Sequence, residues 1–175
     1  MARGVSRVLA FDTSSPVLGV GLSGGGGALV RTERVVRGSE RRLLPLATEL
    51  LDEAGLGVHQ LDGIAVAAGP GAFTGLRVGL ATACGLAQAL ELPVWPAMSL
   101  WPRAIRAGLG GALLVMLDAR KSRVYAAGWQ DDVLLHPPQD VAPEVAIGWF
   151  EGSFRATGEG ALVYSARVVE AGGGG

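Results

Sequence analysis

Short apolar runs alternate with turn-forming residues in the first part of the chain, a pattern typical of β-strands. Residues 8–11 and 17–22 are apolar, and an Asp-Thr-Ser-Ser-Pro turn separates them. The glycines at 24–27 precede a third stretch, residues 28–36, in which apolar and charged residues alternate. The pattern predicts three consecutive antiparallel strands joined as a meander.

A helical period replaces this alternation after Ser39, which is a candidate N-cap. Gly55 supplies a stop signal, and Pro45 marks either the true start of the helix or a kink within it. The apolar positions that recur at helical spacing are Leu43, Leu46, Ala47, Leu50 and Ala54.

An apolar strand and a second helix follow. Residues 64–68 are all apolar, which favours a buried parallel strand ending at Gly69-Pro70-Gly71. The second helix is predicted from about Thr74 to Leu90 and is apolar nearly all round, so it must be covered on more than one side. Small residues occupy every fourth position of this helix: Gly75, Gly79, Ala83 and Ala87.

The next segments lead into a second part of the chain. Residues 92–95 suit a short strand, residues 99–107 a short helix, and the glycine-rich residues 108–111 a link. Residues 114–129 then lie over residues 8–23 without a gap, and Asp118 falls opposite Asp12. An internal duplication is the economical explanation.

The second copy is predicted to be smaller than the first. Pro137-Pro138 is typical of a loop, residues 143–150 suit a short helix, and the glycine tail at 172–175 is expected to be disordered. No second pair of long helices follows. The prediction is therefore an α/β chain with a full first lobe over residues 1–108 and a reduced second lobe over residues 109–175.

Composition narrows the function classes. The chain has 175 residues, 49% apolar and 18% charged, with 15 Lys and Arg against 16 Asp and Glu. A net charge of −1 lacks the excess of a free-standing nucleic-acid or anionic-membrane binder, so nucleic acid is expected only as an indirect partner. The long uncharged run before Arg77 contains Gly-Pro-Gly, and residues 1–4 lack an apolar leader, so neither a membrane span nor a signal peptide is expected.

The single cysteine, Cys84, allows neither an internal disulfide nor a thiolate zinc site, which indicates a cytoplasmic protein. Its place in the middle of an apolar helix predicts a packed, inert thiol. The two histidines, His59 and His136, are isolated and predict surface or capping roles, with His136 in a loop. Arg77 suits an exposed position in the first turn of the second helix or a partnership with a carboxylate.

Two aspartates at equivalent strand ends match the arrangement of two-lobed phosphoryl-transfer proteins, in which a carboxylate from each lobe faces a magnesium-bound phosphate. The turn after Asp12 has no glycine to let backbone amides approach a phosphate. The alternative is that Asp12 and Asp118 are turn formers whose carboxylates accept backbone N–H bonds.

The segment Gly69–Gly79 carries a strand end into a helix N-terminus, where free N–H groups favour an anion. It is neither a P-loop nor a dinucleotide fingerprint, because the lysine and the glycine spacing are wrong. Close strand–helix packing explains its glycines equally well. The candidate residues for a weak ATP or ADP cleft are Asp12, Thr13, Ser14, Gly69, Pro70, Gly71 and Asp118.

Taken together, five motifs resemble the TsaB/YeaZ family over roughly residues 5–130. They occur in order along the chain, and the glycine-proline-phenylalanine segment is the most specific of them. The motifs are Phe11-Asp12-Thr13-Ser14, Arg42-Leu43-Leu44-Pro45, residues 69–79, Leu92-Pro93-Val94 and Leu117-Asp118-Ala119-Arg120.

The resemblance implies an actin/Hsp70-like (ribonuclease H-like) two-lobed fold and a role in making threonylcarbamoyladenosine beside the anticodon of tRNA. In that family's pathway TsaD carries the metal and transfers the threonylcarbamoyl group, TsaB is its obligatory non-catalytic partner, and the ATPase TsaE joins them. No required cofactor is implied, and a homodimer is expected when the partner is missing.

The resemblance also places Ser99 and Arg103 at the positions of the two metal-binding histidines of TsaD. Neither replaces an imidazole ligand, and an arginine repels a metal ion. A non-catalytic subunit is therefore favoured over the alternatives of the same fold, a small-substrate kinase or a glycoprotease-like metallopeptidase. The predicted interface with TsaD, on the first-lobe helices, consists of Leu43, Leu46, Leu50, Gly75, Gly79, Ala83 and Ala87.

Overall fold

The N-terminal segments form one mixed sheet with two long helices packed against it. The computed structural model describes residues 7–24, 27–35 and 38–174. Up to residue 98 it contains strands β1 (Val8–Asp12), β2 (Val17–Gly24), β3 (Gly27–Arg34), β4 (Gly63–Gly69) and β5 (Val94–Met98), and helices α1 (Ser39–Glu53) and α2 (Phe73–Leu90). The strand order is β3-β2-β1-β4-β5. Because β1 and β2 are antiparallel, as are β2 and β3, while β4 is parallel to β1, the predicted meander and parallel strand are confirmed.

Alternation along β1 and β2 builds the core of this part. Leu9 and Phe11 of β1 are almost fully buried, and the intervening residues are only half-buried. The leucines of α1 and the small residues of α2 complete the same cluster. Burying each large apolar side chain stabilises the fold by about 1.5–3 kcal/mol.

The ends of α1 differ in part from the prediction. Gly38 is the N-cap in a left-handed conformation, so Ser39 is the first helical residue and does not cap the helix through its side chain. Pro45 lies inside α1 and does not mark its start. Gly55 ends the helix as predicted, because its φ of +63° is accessible to glycine and lets the N–H of Leu56 donate to the carbonyl of Leu51.

A bidentate ion pair joins β3 to α1. The Arg42 guanidinium donates to both carboxylate oxygens of Glu33 at 2.8–3.1 Å. These hydrogen bonds lower the pKa of Glu33 and raise that of Arg42. Both side chains are 38% exposed, so the pair orients the two elements more than it stabilises them.

The remaining residues form a second sheet of five strands with short helices. Its elements are α3 (Trp101–Ala107), β6 (Ala112–Arg120), β7 (Arg123–Gln130), β8 (Val133–Val141), α4 (Pro143–Ile147), β9 (Phe154–Thr157), α5 (Glu159–Val163), α6 (Ser165–Glu170) and β10 (Gly173–Gly174). The order β10-β9-β6-β7-β8 repeats that of the first sheet, with β6 in the place of β1. Strands β6, β7 and β8 form the meander, and β9 is parallel to β6.

Two sheets with one strand order confirm the predicted fold class, an actin-like α/β architecture with a reduced second half. The reduction lies in the helices, because α1 and α2 have 15 and 18 residues whereas α3 to α6 have five to seven. The chain divides after Ala97, earlier than the predicted boundary after residue 108. The reason is that α3 packs Leu100 and Ala104 against Trp129 and so joins the second unit.

Two details of the second unit differ from the predictions. Pro137 and Pro138 lie within β8, which tolerates proline because it is the edge strand of its sheet. His136 is therefore in a strand, where its ring stacks on Trp149 at 4.6 Å between centroids. Of the glycine tail, Gly173 and Gly174 pair with β9 instead of being disordered, while Gly175 lies outside the described residues.

One arginine holds the link between α3 and β6. The Arg155 guanidinium donates to the carbonyls of Ala107, Gly108 and Gly110 at 2.5–2.7 Å. Replacement of Arg155 by lysine is expected to lower the free energy of unfolding by about 2 kcal/mol, because one ammonium cannot reach three diverging carbonyls. Urea unfolding measures this.

The matched control is Arg106→Lys, since Arg106 is exposed on α3 and has no hydrogen-bond or ion-pair partner among the described residues. It should change stability by less than about 0.5 kcal/mol. Equal midpoints for the two variants would show that the three carbonyls are satisfied equally well by water.

Candidate functional site

The start of α2 packs on the turn between β1 and β2. Thr13 and Ser14 are each only 2% exposed there. The Thr13 hydroxyl donates to the carbonyl of Gly75 at 2.8 Å, and the N–H of Ala72 donates to the carbonyl of Ser14 at 2.7 Å. The N-terminal end of α2, which has no side-chain cap, is therefore in contact with the β1–β2 turn of the same chain.

The glycines of this segment are explained by that packing. A Cβ on Gly71 or Gly75 would lie less than 3.0 Å from backbone atoms of Ser14 or Thr13, and one on Gly79 equally close to the Thr13 hydroxyl. Only glycine allows this approach. Of the two interpretations of the segment, close packing accounts for Gly71, Gly75 and Gly79, and nucleotide binding at Gly69–Gly71 stays a prediction.

Asp12 and Asp118 have the same local role. Asp12 Oδ1 accepts hydrogen bonds from the backbone N–H and the hydroxyl of Ser14, at 2.9 and 2.5 Å. Asp118 Oδ1 accepts the backbone N–H of Arg120 at 2.8 Å. Each carboxylate thus receives the N–H two residues later, the geometry of an Asx turn. Asp12 belongs to the first unit and Asp118 to the second, and their part in a nucleotide cleft stays a prediction.

Six of the seven predicted interface residues are buried in the first unit's own core, which contradicts their assignment. Leu43, Leu46 and Leu50 of α1 are at most 4% exposed. Gly79, Ala83 and Ala87 of α2 are buried as well, while Gly75 packs on Thr13. The physical reason is that the small-residue stripe is the side of α2 that approaches its own sheet and turn most closely.

The outward side of α2 is a different stripe from the predicted interface residues. Phe73 at its start is 73% exposed, and the Arg77 guanidinium lies 5.4 Å from its ring centroid. The prediction of a packed thiol at position 84 is wrong, because Cys84 is exposed. We call this surface the outer α2 face and define it by Phe73, Arg77, Ala81, Cys84, Gly85 and Gln88, all of them exposed.

Gly85 is the unusual member of the outer α2 face. A Cβ at this position would meet nothing within 4 Å, so no packing within the chain requires glycine there. Glycine in the middle of a helix costs about 0.5–1 kcal/mol relative to alanine. Within the described residues, no close packing of Gly85 offsets that cost.

Ser99 and Arg103, which the resemblance to the TsaB/YeaZ family predicts at the positions of the TsaD metal ligands, contact each other in this structure. Ser99 is fully buried, and its carbonyl accepts a hydrogen bond of 2.7 Å from Arg103 Nη1. Arg103 Nη2 lies 3.8 Å from Glu159 Oε1. A guanidinium beside a carboxylate does not fit a metal ion, and no group of three or more His, Cys, Asp or Glu side chains in the described part of the chain could hold one.

The family model described as "TsaD: tRNA N6-adenosine threonylcarbamoyltransferase" matches residues 26–145. Two solved structures are described as YeaZ from Pseudomonas aeruginosa and as a protein similar to peptidase YeaZ. Each is 35% identical to this chain with a TM-score of 0.81, and the match covers 93% of this chain and 79% of theirs. The fold and the family model define an actin-like protein of the TsaD class.

Curated relatives refine this class. An uncharacterized Mycobacterium tuberculosis protein is 37% identical over 82% of this chain and 69% of its own length. The tRNA threonylcarbamoyladenosine biosynthesis protein TsaB of Haemophilus influenzae is 38% identical over 67% of this chain. The chain belongs to the TsaB/YeaZ family. It spans 51–56% of the length of the Haemophilus and Escherichia coli TsaB proteins.

Proposed function

We propose that the chain is a non-catalytic subunit required for threonylcarbamoyladenosine modification of tRNA next to the anticodon. It acts by binding a TsaD-type protein through the outer α2 face, with a TsaE-type ATPase joining the pair. The observation that carries this proposal is the open space in front of Gly85, on a helix whose opposite side is fully used by its own core.

The surface chemistry of the outer α2 face supports a protein partner. Ala81, Cys84 and Gly85 are small, so a second helix approaches closely. Phe73 supplies a large apolar anchor at one end, and anchors of this kind dominate interface energies. Gln88 and Arg77 provide polar groups at the edges, as interface rims usually do.

If this chain is non-catalytic, a separate protein must carry out the transfer reaction. The resemblance places Ser99 and Arg103 at the positions of the TsaD metal ligands, and Arg103 lies beside Glu159, so we assign the transfer chemistry to the partner. We place the chain in the cytoplasm, with tRNA held mainly through TsaD.

Without TsaD, the outer α2 face is expected to pair two copies of the chain. Among the described residues, no helix is long and apolar enough to cross a lipid bilayer.

Modification of Cys84 by a maleimide tests the proposal directly. Cys84 is the only cysteine in the chain and lies in the middle of the outer α2 face. Adding TsaD at about 100 times the dissociation constant leaves about 1% of the chain free, so the modification rate should fall about 100-fold.

The control moves the thiol to the second unit. In Cys84→Ser/Asp132→Cys the cysteine occupies an exposed turn between β7 and β8, and its rate should not change when TsaD is added. Equal rates for Cys84 with and without TsaD, under conditions in which ultracentrifugation shows the complex, would exclude the outer α2 face as the interface. An absence of any complex would remove the proposed function itself, and ATP turnover or stoichiometric zinc or iron would favour the enzyme alternatives.

A further inference from the structure

The hairpin between β6 and β7 has an unusual tip. Arg120, Lys121 and Ser122 follow one another with φ of +64°, +50° and +57°. Two-residue hairpin turns that need positive φ normally use Asn-Gly or Asp-Gly, because side chains crowd the left-handed conformation. Arg120 at the end of β6 and Lys121 in the turn thus place two long cationic side chains at positions where glycine would be less strained.

The side chains of Arg120 and Lys121 at the tip form no ion pair within the described residues. The carboxylate of Asp118 accepts the backbone N–H of Arg120, and that of Asp140 accepts the Arg123 guanidinium. Arg120 and Lys121 are exposed, and neither side chain has a carboxylate partner among the described residues. By contrast, Arg31, Arg42 and Arg167 each pair with a glutamate.

The corresponding hairpin of the first unit has a covered tip. Its turn between β1 and β2 is uncharged, and Thr13 and Ser14 are buried under α2. No helix of comparable length follows in the described part of the second unit, where α4 to α6 have five or six residues. The second tip therefore remains accessible and carries adjacent cations.

We propose that the β6–β7 tip contacts RNA directly, with Arg120 and Lys121 each facing a backbone phosphate. The inference rests on the proposed function in tRNA modification. A guanidinium donates two hydrogen bonds to phosphate oxygens, and an ammonium binds them as a point charge. The pair would therefore bind the RNA backbone without recognising the base sequence. Since the chain's net charge is −1, the contact is local and adds to what the partner binds.

The test measures the affinity of an unmodified tRNA transcript for the complex of the chain with TsaD. Fluorescence anisotropy over a series of salt concentrations compares the wild type with Arg120→Gln/Lys121→Gln. Losing two phosphate contacts should reduce the slope of log K against log salt by about 1 to 2 and weaken binding on the order of tenfold at low salt.

The matched control is Arg34→Gln/Arg106→Gln. These two arginines are exposed on β3 and α3 and also lack a carboxylate partner among the described residues. The control makes the same change in net charge and should leave the slope unchanged. An equal loss in both double variants, or an unchanged slope in the hairpin variant, would overturn the proposal.

Binding to TsaD separates this proposal from the one on which it rests. The hairpin variant should keep its wild-type affinity for TsaD, and a lost affinity would make the tip a protein contact and refute the inference. If the wild-type chain forms no complex with TsaD, the proposed function fails. The same tRNA comparison on the chain alone then decides the hairpin, and absence of RNA binding there overturns it.

Discussion

Replacing Gly75 by alanine is expected to lower the free energy of unfolding by about 3 kcal/mol. The new Cβ would lie less than 3.0 Å from the backbone carbonyl oxygen of Thr13. That oxygen belongs to a turn held by the Thr13 hydroxyl on one side and by the Ala72–Ser14 hydrogen bond on the other, so it cannot move alone. For a chain of this length, the melting temperature should fall by about 6–12 °C.

Gly85→Ala is the matched control, because both glycines lie on α2 and both changes add one methyl group. A Cβ on Gly85 meets nothing within 4 Å, so alanine should stabilise the helix by about 0.5–1 kcal/mol. Opposite signs for the two variants would confirm that one glycine serves internal packing and the other does not. A neutral Gly75→Ala would show that the turn yields and would refute the packing explanation.

Sequence periodicity predicted the first unit well because its strands and helices have one buried face each. The alternation in β1 and β2 and the helical spacing in α1 are direct consequences of a core on one side. The strand β8 was missed for a physical reason as well. Proline lacks an N–H donor and so suggests a loop, but an edge strand leaves one side of its backbone unpaired.

The four interface residues predicted on α2 lie on the side of the helix that packs within its own unit. Gly75, Gly79, Ala83 and Ala87 are small where the helix crosses its own turn and sheet, a constraint that produces a strict four-residue period. The outer α2 face repeats the same spacing at Phe73, Arg77, Ala81 and Gly85, but these residues share neither size nor polarity, so the spacing does not mark them as one surface. Sequence alone does not distinguish a side that touches the chain's own core from one that meets a partner.

The roles of the Asp12 and Asp118 carboxylates were likewise not decided by the sequence. Asp12 and Asp118 stand at equivalent strand ends, and their spacing fits either a phosphate site or a turn. Only the hydrogen bonds to Ser14 and Arg120 reveal the turn geometry. Likewise, nothing in the sequence shows that Arg103 is paired, because its partner Glu159 lies far along the chain and only folding brings the two side chains together.

Gly85→Arg is expected to weaken the complex with TsaD at least about 100-fold, which corresponds to ~2.7 kcal/mol. The proposal places a partner helix against Gly85, where a long charged side chain would hold the two backbones apart and lose the small-residue contact. Because position 85 is open to solvent and arginine forms helix more readily than glycine, the variant should fold at least as stably as the wild type. Sedimentation of the mixed proteins measures the affinity, and thermal unfolding measures the fold.

The comparison with Ala83 shows why the position matters. Ala83 is fully buried, so an arginine there would disrupt the core and abolish binding without saying anything about the interface. Gly85→Arg separates disruption of the fold from blocking of the partner surface. If the complex is lost while the melting temperature is unchanged, the arginine acts at the surface and not through the core. Threonylcarbamoyladenosine formation in the reconstituted system should fall with the affinity and return when the concentration of TsaD is raised. A stable complex of unaltered affinity would mean that the outer α2 face is not the partner surface and that Gly85 needs another explanation.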